Sequence, residues 1–160
     1  KDVGRPKIKL PRPMINSKDY NFSFSGLKTA VLYSYNDLIK KYQKKEIIPT
    51  MAHEIQESIV DVLISKTLKA VKKFQPKTVM IAGGVAANKK LRICLAEKIV
   101  PYNIPFFVPD LAYTTDNAAM IAAAGYFSAI GGFVLGGNYL KKKPKPDSWK
   151  KIEVNANLRL

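Results

Sequence analysis

A chain of 160 residues, 47% hydrophobic and 24% charged, has the length and composition of one packed domain, which excludes a disordered or low-complexity protein. The single cysteine, Cys94, excludes an internal disulfide, and no apolar run approaches the roughly 20 residues that would span a bilayer. A formal net charge of +15 points to anionic partners, nucleic acid first, because clustered cations release counterions when they meet phosphates. Only Arg5, Arg12, Arg92 and Arg159 among the 27 cations are arginines, the residue favoured for site-specific phosphate forks, so solvated lysine faces are the competing explanation. No short apolar stretch follows Lys1 to be read as a signal peptide, and a soluble, cytoplasmic protein is expected.

Residues 1–20 carry Pro6, Pro11 and Pro13 among scattered charges, which predicts an extended leading segment. Alternating Phe22 and Phe24 predict a short strand. After a Ser25-Gly26 turn, Leu27, Val31, Tyr35, Leu38 and Tyr42 fall at helical spacing to about Tyr42. A long amphipathic helix is expected after Pro49, a good first-turn residue. Ile55, Ile59, Val62, Leu63, Ala70 and Phe74 form its apolar stripe, while Lys66, Lys69, Lys72 and Lys73 gather on another face. "TVMIA" (78–82) is a short continuous apolar run ending at Gly83-Gly84, as a buried parallel strand would be, and "NKKLRICLAEKIV" (88–100) is its crossover helix.

A second strand is predicted in "IPFFVPD" (104–110). Thr114, Thr115 and Asp116 would then supply the cap and first turn of a small-residue helix, "NAAMIAAAGYFSAI" (117–130), able to pack closely against a neighbour. Residues 131–160 form a Gly/Lys-rich tail, with Gly131, Gly132, Gly136 and Gly137 giving way to Lys141, Lys142, Lys143 and Lys145. Helices and strands in this order make a mixed α/β lobe over residues 21–130, helix-rich with a small sheet.

Several residues could carry chemistry. In an α/β sheet, ligands occupy the crevice beyond the carboxyl ends of the strands, where Gly83 and Gly84 would let a nucleotide approach the backbone. The other reading is a tight strand-to-helix connection, since neither a P-loop nor a dinucleotide fingerprint is present. Asn88 is either a helix cap or a side-chain amide reaching that ligand. Asp116, between a strand end and a helix start, can cap the helix or ligate a cation. His53 is the only histidine and has Glu57 one turn along, but two side chains do not make a catalytic metal site, which needs about three protein ligands. Cys94, inside an apolar helix run, reads as a small buried hydrophobe. No Ser-His-Asp arrangement can be built around His53.

Taken together, "FSFSGLKTAV" (22–31), "IAGGVAANKKLR" (81–92) and "TTDNAAMIAAAG" (114–125) resemble the TsaD family, also called Gcp or YgjD, from "PRPM" (11–14) to about Phe127. The resemblance implies an actin, Hsp70 and sugar-kinase type of fold, ribonuclease H-like in its core, of which this chain would be the C-terminal lobe. It implies an enzyme that moves a threonylcarbamoyl group from its adenylate to N6 of the adenosine beside the tRNA anticodon. Carried over by position, Gly83 and Gly84 would line the base and ribose of the nucleotide, Asn88 would bind the adenylate, and Asp116 would be a ligand of one divalent metal, iron or zinc. That metal would act as a Lewis acid on the acyl donor. The implied partners are tRNA, an inactive paralogue and a P-loop ATPase, with no membrane.

Two departures from the family pattern matter. Thr114 stands where the family usually has cysteine. The H-x-x-x-H helix that supplies the other metal ligands and the glycine-rich phosphate segment belong to an N-terminal half outside this sequence, and His53 does not fit that motif. The expected chain is therefore one wall of a site, inactive by itself and holding no cofactor alone. The "SGLKTAV" motif is closer to the bacterial or organellar branch than to the archaeal one. A non-catalytic basic module for RNA or protein is the alternative, and the family's historical metallo-glycoprotease label is a third reading that this sequence equips with neither a full metal site nor a base.

Overall fold

The computed structural model of the chain describes residues 6–129, so the Gly/Lys-rich tail expected over 131–160 lies outside the described residues. In chain order the elements are α1 (Ser25–Leu38), α2 (Lys44–Phe74), β1 (Val79–Met80), α3 (Lys89–Ile99), β2 (Phe106–Phe107) and α4 (Ala118–Ala129). Short 3-10 turns occupy Gly84–Ala87, Val100–Tyr102 and Leu111–Tyr113. This is a helix-rich α/β arrangement with a small sheet. The described residues divide into two compact units, 6–82 with 86–108, and 83–85 with 109–129.

The first unit is assembled on α2, a helix of 31 residues and so about 46 Å long. It starts where Glu46 accepts a hydrogen bond from the Gln43 amide at 2.8 Å, and it stops at Gln75, whose left-handed backbone (φ 45°) sends its N–H to the Val71 carbonyl ahead of Pro76. Pro49 therefore sits inside the helix rather than at its first turn, where the sequence placed it. Helix α1 closes at Leu38 instead of near Tyr42, because the Lys41 and Tyr42 amides both turn back to the Leu38 carbonyl.

Packing on α2 runs along residues spaced by four. Ile47 and Met51 are followed by Ser58, Val62 and Lys66, all buried, with Val60 and Val71 buried on another face of the helix. Leu10 of the leading segment, Leu27 of α1, Ala86, and Leu91, Leu95 and Ile99 of α3 are buried with them. Helices α1 and α3 both pack on α2. The stripe expected from the sequence is thus only partly the core. Val62 is buried, but Phe74 is 64% exposed at the helix end.

Lys66 is the sharper correction. Its side chain is 1% exposed rather than on a solvated lysine face. The ammonium donates to Ser17 Oγ at 2.6 Å, to Asp19 Oδ1 at 3.2 Å and to the Asp19 carbonyl at 3.3 Å, and it lies 5.9 Å from the Phe22 ring centre. Lys69, one turn on, donates to the carbonyls of Ser17 and Lys18, each at 2.7 Å. Arg12 ties the start of the same segment to α2 by bonding Glu54 and, at 2.9 Å, Asp61, while the Leu10 amide donates to Glu54 at 3.0 Å. The leading segment is irregular, as its prolines require. The strand expected at Phe22 and Phe24 does not form, because among the described residues the only strands, β1 and β2, pair with each other and leave it no partner.

Strands β1 and β2 are parallel, with Val79 opposite Phe106 and Met80 opposite Phe107, and α3 is the crossover between them. A two-stranded sheet is marginal alone, and the α3 crossover that joins the strands packs on α2, with Leu91, Leu95 and Ile99 buried. The outer residues Met80 and Phe107 remain exposed. In the second unit, α4 leaves Met120, Ile121, Tyr126 and Phe127 exposed. No helix of the described residues is long and apolar enough to cross a membrane.

Bonds from Ser17 and from Lys66 pull the Asp19 carboxyl down from 3.8 to about 2. A depressed carboxyl stabilises the fold above its unfolded value, so this contribution should fade as pH falls from about 4 towards 2. Far-UV circular dichroism during acid titration should show a shallower loss in Asp19→Asn, and an unchanged profile would remove Asp19 from the acid response. Ser17→Ala, which strips a partner from a buried ammonium, should cost about 1–3 kcal/mol in urea unfolding. Lys66→Met, which removes the charge together with its bonds, should cost less than Ser17→Ala combined with Asp19→Ala.

Candidate functional site

The β1 strand ends in a hydrogen bond from the Ile81 amide to the Phe107 carbonyl at 3.2 Å, and the chain then turns at Gly83 with φ 80°. That backbone angle favours glycine whatever surrounds it. Gly84 differs, because its φ is not positive and a Cβ built there would meet nothing within 4 Å. The chain's own geometry therefore requires glycine at 83 and leaves the second glycine without an internal reason. From Gly84 the backbone winds through its 3-10 turn, in which Ala86 is buried and accepts a bond from Arg92 Nε.

Asn88 caps α3, its Oδ1 accepting from the Leu91 amide at 3.0 Å. Its Nδ2 donates to Gln56 Oε1 on α2, also at 3.0 Å, which fixes the amide plane from a second helix. Two residues on, Lys90 pairs with Glu57, and the hydrogen bond to that carboxylate raises the lysine's pKa above its ordinary value. Asn88 keeps one amide hydrogen and one acceptor lone pair beyond these two bonds, so capping does not exhaust it. Sequence reasoning missed Gln56, since no local pattern connects a mid-helix glutamine with an asparagine 32 positions later.

Asp116 lies between the Leu111–Tyr113 turn and α4, and it is exposed. The cap of α4 is not drawn from Thr114, Thr115 or Asp116. Asn117 does this work, its Oδ1 accepting from the Met120 amide at 2.9 Å while its Nδ2 donates to the Thr115 carbonyl at 2.8 Å. Thr114 is buried and its hydroxyl donates to the Leu111 carbonyl at 2.7 Å, which makes it a packing residue. Relieved of capping, the Asp116 carboxylate stands immediately before a helix N-terminus, where the dipole favours negative charge. Gly83, Gly84 and Asp116 belong to the second unit and Asn88 to the first.

His53 is largely exposed and 3.7 Å from Glu57, whose carboxylate Lys90 already occupies. Among the described residues no group of three or more His, Cys, Asp or Glu side chains could hold a metal. Asp116 supplies one hard oxygen donor, and the described residues do not complete a metal site around it. Cys94 is half-buried rather than enclosed.

The model of one protein family, described as TsaD, tRNA N6-adenosine threonylcarbamoyltransferase, matches residues 1–123. Curated relatives bearing that name include a protein of Thermosipho africanus, 49% identical over 79% of this chain and 37% of its own length. One of Geobacillus thermodenitrificans is 48% identical over 76% of the chain and 36% of its own length, and one of Bacillus subtilis is 46% identical over 78% and 36%. The chain thus spans a little over a third of the length of the curated relatives it matches. With the first two motifs and the third as far as residue 123 inside the matched residues, the chain belongs to the TsaD family of tRNA N6-adenosine threonylcarbamoyltransferases.

Proposed function

We propose that this chain is the C-terminal part of a tRNA-modifying acyltransferase, forming over residues 21–130 one lobe of an actin-like fold. The observation that carries the reading is the family match over residues 1–123 together with an exposed Asp116 that its own helix does not use as a cap. In the reaction, the N6 amine of a tRNA adenosine attacks the carbamoyl carbon of threonylcarbamoyl-AMP. A C–N bond forms, the bond from that carbon to the phosphate oxygen breaks, AMP leaves, and the amine releases its proton.

The chain's own residues bind and orient in this scheme. Gly83 and Gly84 give the nucleotide's base and ribose a surface without Cβ atoms, which supplies the reason for Gly84 that the fold does not. Asn88, with its amide plane held by Gln56, directs its remaining hydrogen and lone pair to the adenylate. Asp116 contributes one carboxylate oxygen to a divalent iron or zinc whose other ligands come from outside the described residues. The wider partners are the N-terminal half of the enzyme, the tRNA substrate, an inactive paralogue and a P-loop ATPase. The chain alone is expected to be inactive and, by elemental analysis, to carry no stoichiometric iron or zinc.

The decisive experiment joins this chain to the N-terminal portion of the Bacillus subtilis relative and measures threonylcarbamoyl transfer to tRNA. Asp116→Asn should lower the rate by about a hundredfold or more, the loss of several kcal/mol of transition-state stabilisation, with the circular dichroism spectrum unchanged. Wild-type rates in Asp116→Asn would sink the metal role, and a chimera that transfers nothing would sink the reading itself.

A further inference from the structure

Helix α2 segregates its charge along its length. Its carboxylates, Glu46, Glu54, Glu57 and Asp61, all lie before Lys66, and its last two turns carry Lys69, Lys72 and Lys73 with no acid among them. These three lysines, with Ser65, Leu68 and Tyr20 of the leading segment, line an open groove of about 640 Å³ within the first unit. The helix dipole favours cations only in the final turn, so it accounts for Lys72 and Lys73 individually but not for a groove.

Charge in this groove is not cancelled. Lys69 gives its hydrogens to the backbone carbonyls of Ser17, Lys18 and Asp19, which are neutral partners, and neither Lys69, Lys72 nor Lys73 has a carboxylate partner among the described residues. Beside the lysines sits an aromatic pair, Tyr20 and Phe74, with ring centres 5.3 Å apart and planes at 50°. Lys69 Nζ lies 5.3 Å from the Tyr20 ring centre, and Phe74 is 64% exposed. An acidic peptide would need only the cations. Cations joined to open aromatic faces fit a strand that offers phosphates and bases together.

We propose that the groove at the C-terminal end of α2 binds RNA, with Lys72 and Lys73 on backbone phosphates, Lys69 holding the Tyr20 wall in place, and Phe74 stacking on an unpaired base. The proposal rests on the RNA substrate of the preceding reading and assigns that RNA a contact whose lining includes none of Gly83, Gly84, Asn88 and Asp116.

The test uses a fluorescein-labelled RNA stem-loop and the chain as it stands, with anisotropy titrations at several salt concentrations between roughly 50 and 200 mM. Lys72→Ala with Lys73→Ala should lower the slope of log affinity against log salt by about 1.4, the loss of two single-strand phosphate contacts. Phe74→Ala should weaken binding by about tenfold with the slope unchanged. Lys44→Ala with Lys45→Ala, at the opposite end of the same helix, should change the slope less. Equal effects from the two lysine pairs, or none from Lys72 and Lys73, would overturn the assignment. Polyglutamate binding as tightly as RNA, with no effect of Phe74→Ala, would also overturn it and name an acidic protein as the occupant. In the transfer assay, Lys72→Ala with Lys73→Ala should raise the KM for tRNA and leave kcat, whereas loss of Asp116 should lower kcat, so the two proposals fail separately.

Discussion

A buried ammonium needs partners, and in this chain Lys66 finds them in Ser17 and Asp19 of the segment that precedes the first helix. That constraint organises the first unit. A 31-residue helix owes most of its stability to what packs on it rather than to propensity, and α2 is covered on successive faces by α1, α3 and a segment with no regular structure of its own. Prolines deny that segment a helix, so charged bonds at Arg12, Lys66 and Lys69 do the work that hydrogen-bonded structure does elsewhere. Partners carrying charge on one side make such bonds stronger than neutral ones, which suits a segment of limited apolar area.

The same helix reaches the candidate site. Gln56 and Glu57 lie side by side on α2 and hold Asn88 and Lys90 at the start of α3, so the entry of α3 is fixed by α2 as well as by its own cap. Preorganisation of this kind suits the role proposed for Asn88, whose amide would present one hydrogen and one lone pair in a fixed plane. Asp116 is arranged differently. Its neighbour Asn117 satisfies the helix and Thr114 satisfies the turn, which leaves the carboxylate without a structural duty. A polar residue between two neighbours that perform the local structural tasks is where chemistry can be placed without loss of stability.

Six lysines and four carboxylates give α2 only a small share of the net charge of +15, but their separation along the helix gives that share a location. Counting residues identifies an anionic partner only in general terms, and many lysines are solvated helix faces. Lys66 is not one, because it is enclosed and paired, and Lys69 is partly committed to backbone carbonyls. Removing those two from the reckoning leaves Lys72 and Lys73 beside an aromatic pair, a smaller and more specific surface than the composition implied.

Periodicity and punctuation settled the order of elements. The apolar run ending at Gly83-Gly84, the parallel strands with α3 between them and the small-residue helix after Asp116 were all legible in local pattern, since each depends on neighbours within a few residues. The motifs around Gly83, Asn88 and Asp116 also carried the family. Folding alone decided what depends on contacts between distant residues. Phe22 and Phe24 alternate like a strand but have no strand among the described residues to pair with. Lys66 reads as solvated until Ser17 and Asp19 arrive from 49 and 47 positions away. Asn117 rather than Asp116 caps α4, a choice between adjacent residues of similar propensity that only the backbone entering the helix could make. Local spacing encodes secondary structure, whereas burial of a charge and the freedom of a carboxylate are set by which remote groups share its surroundings.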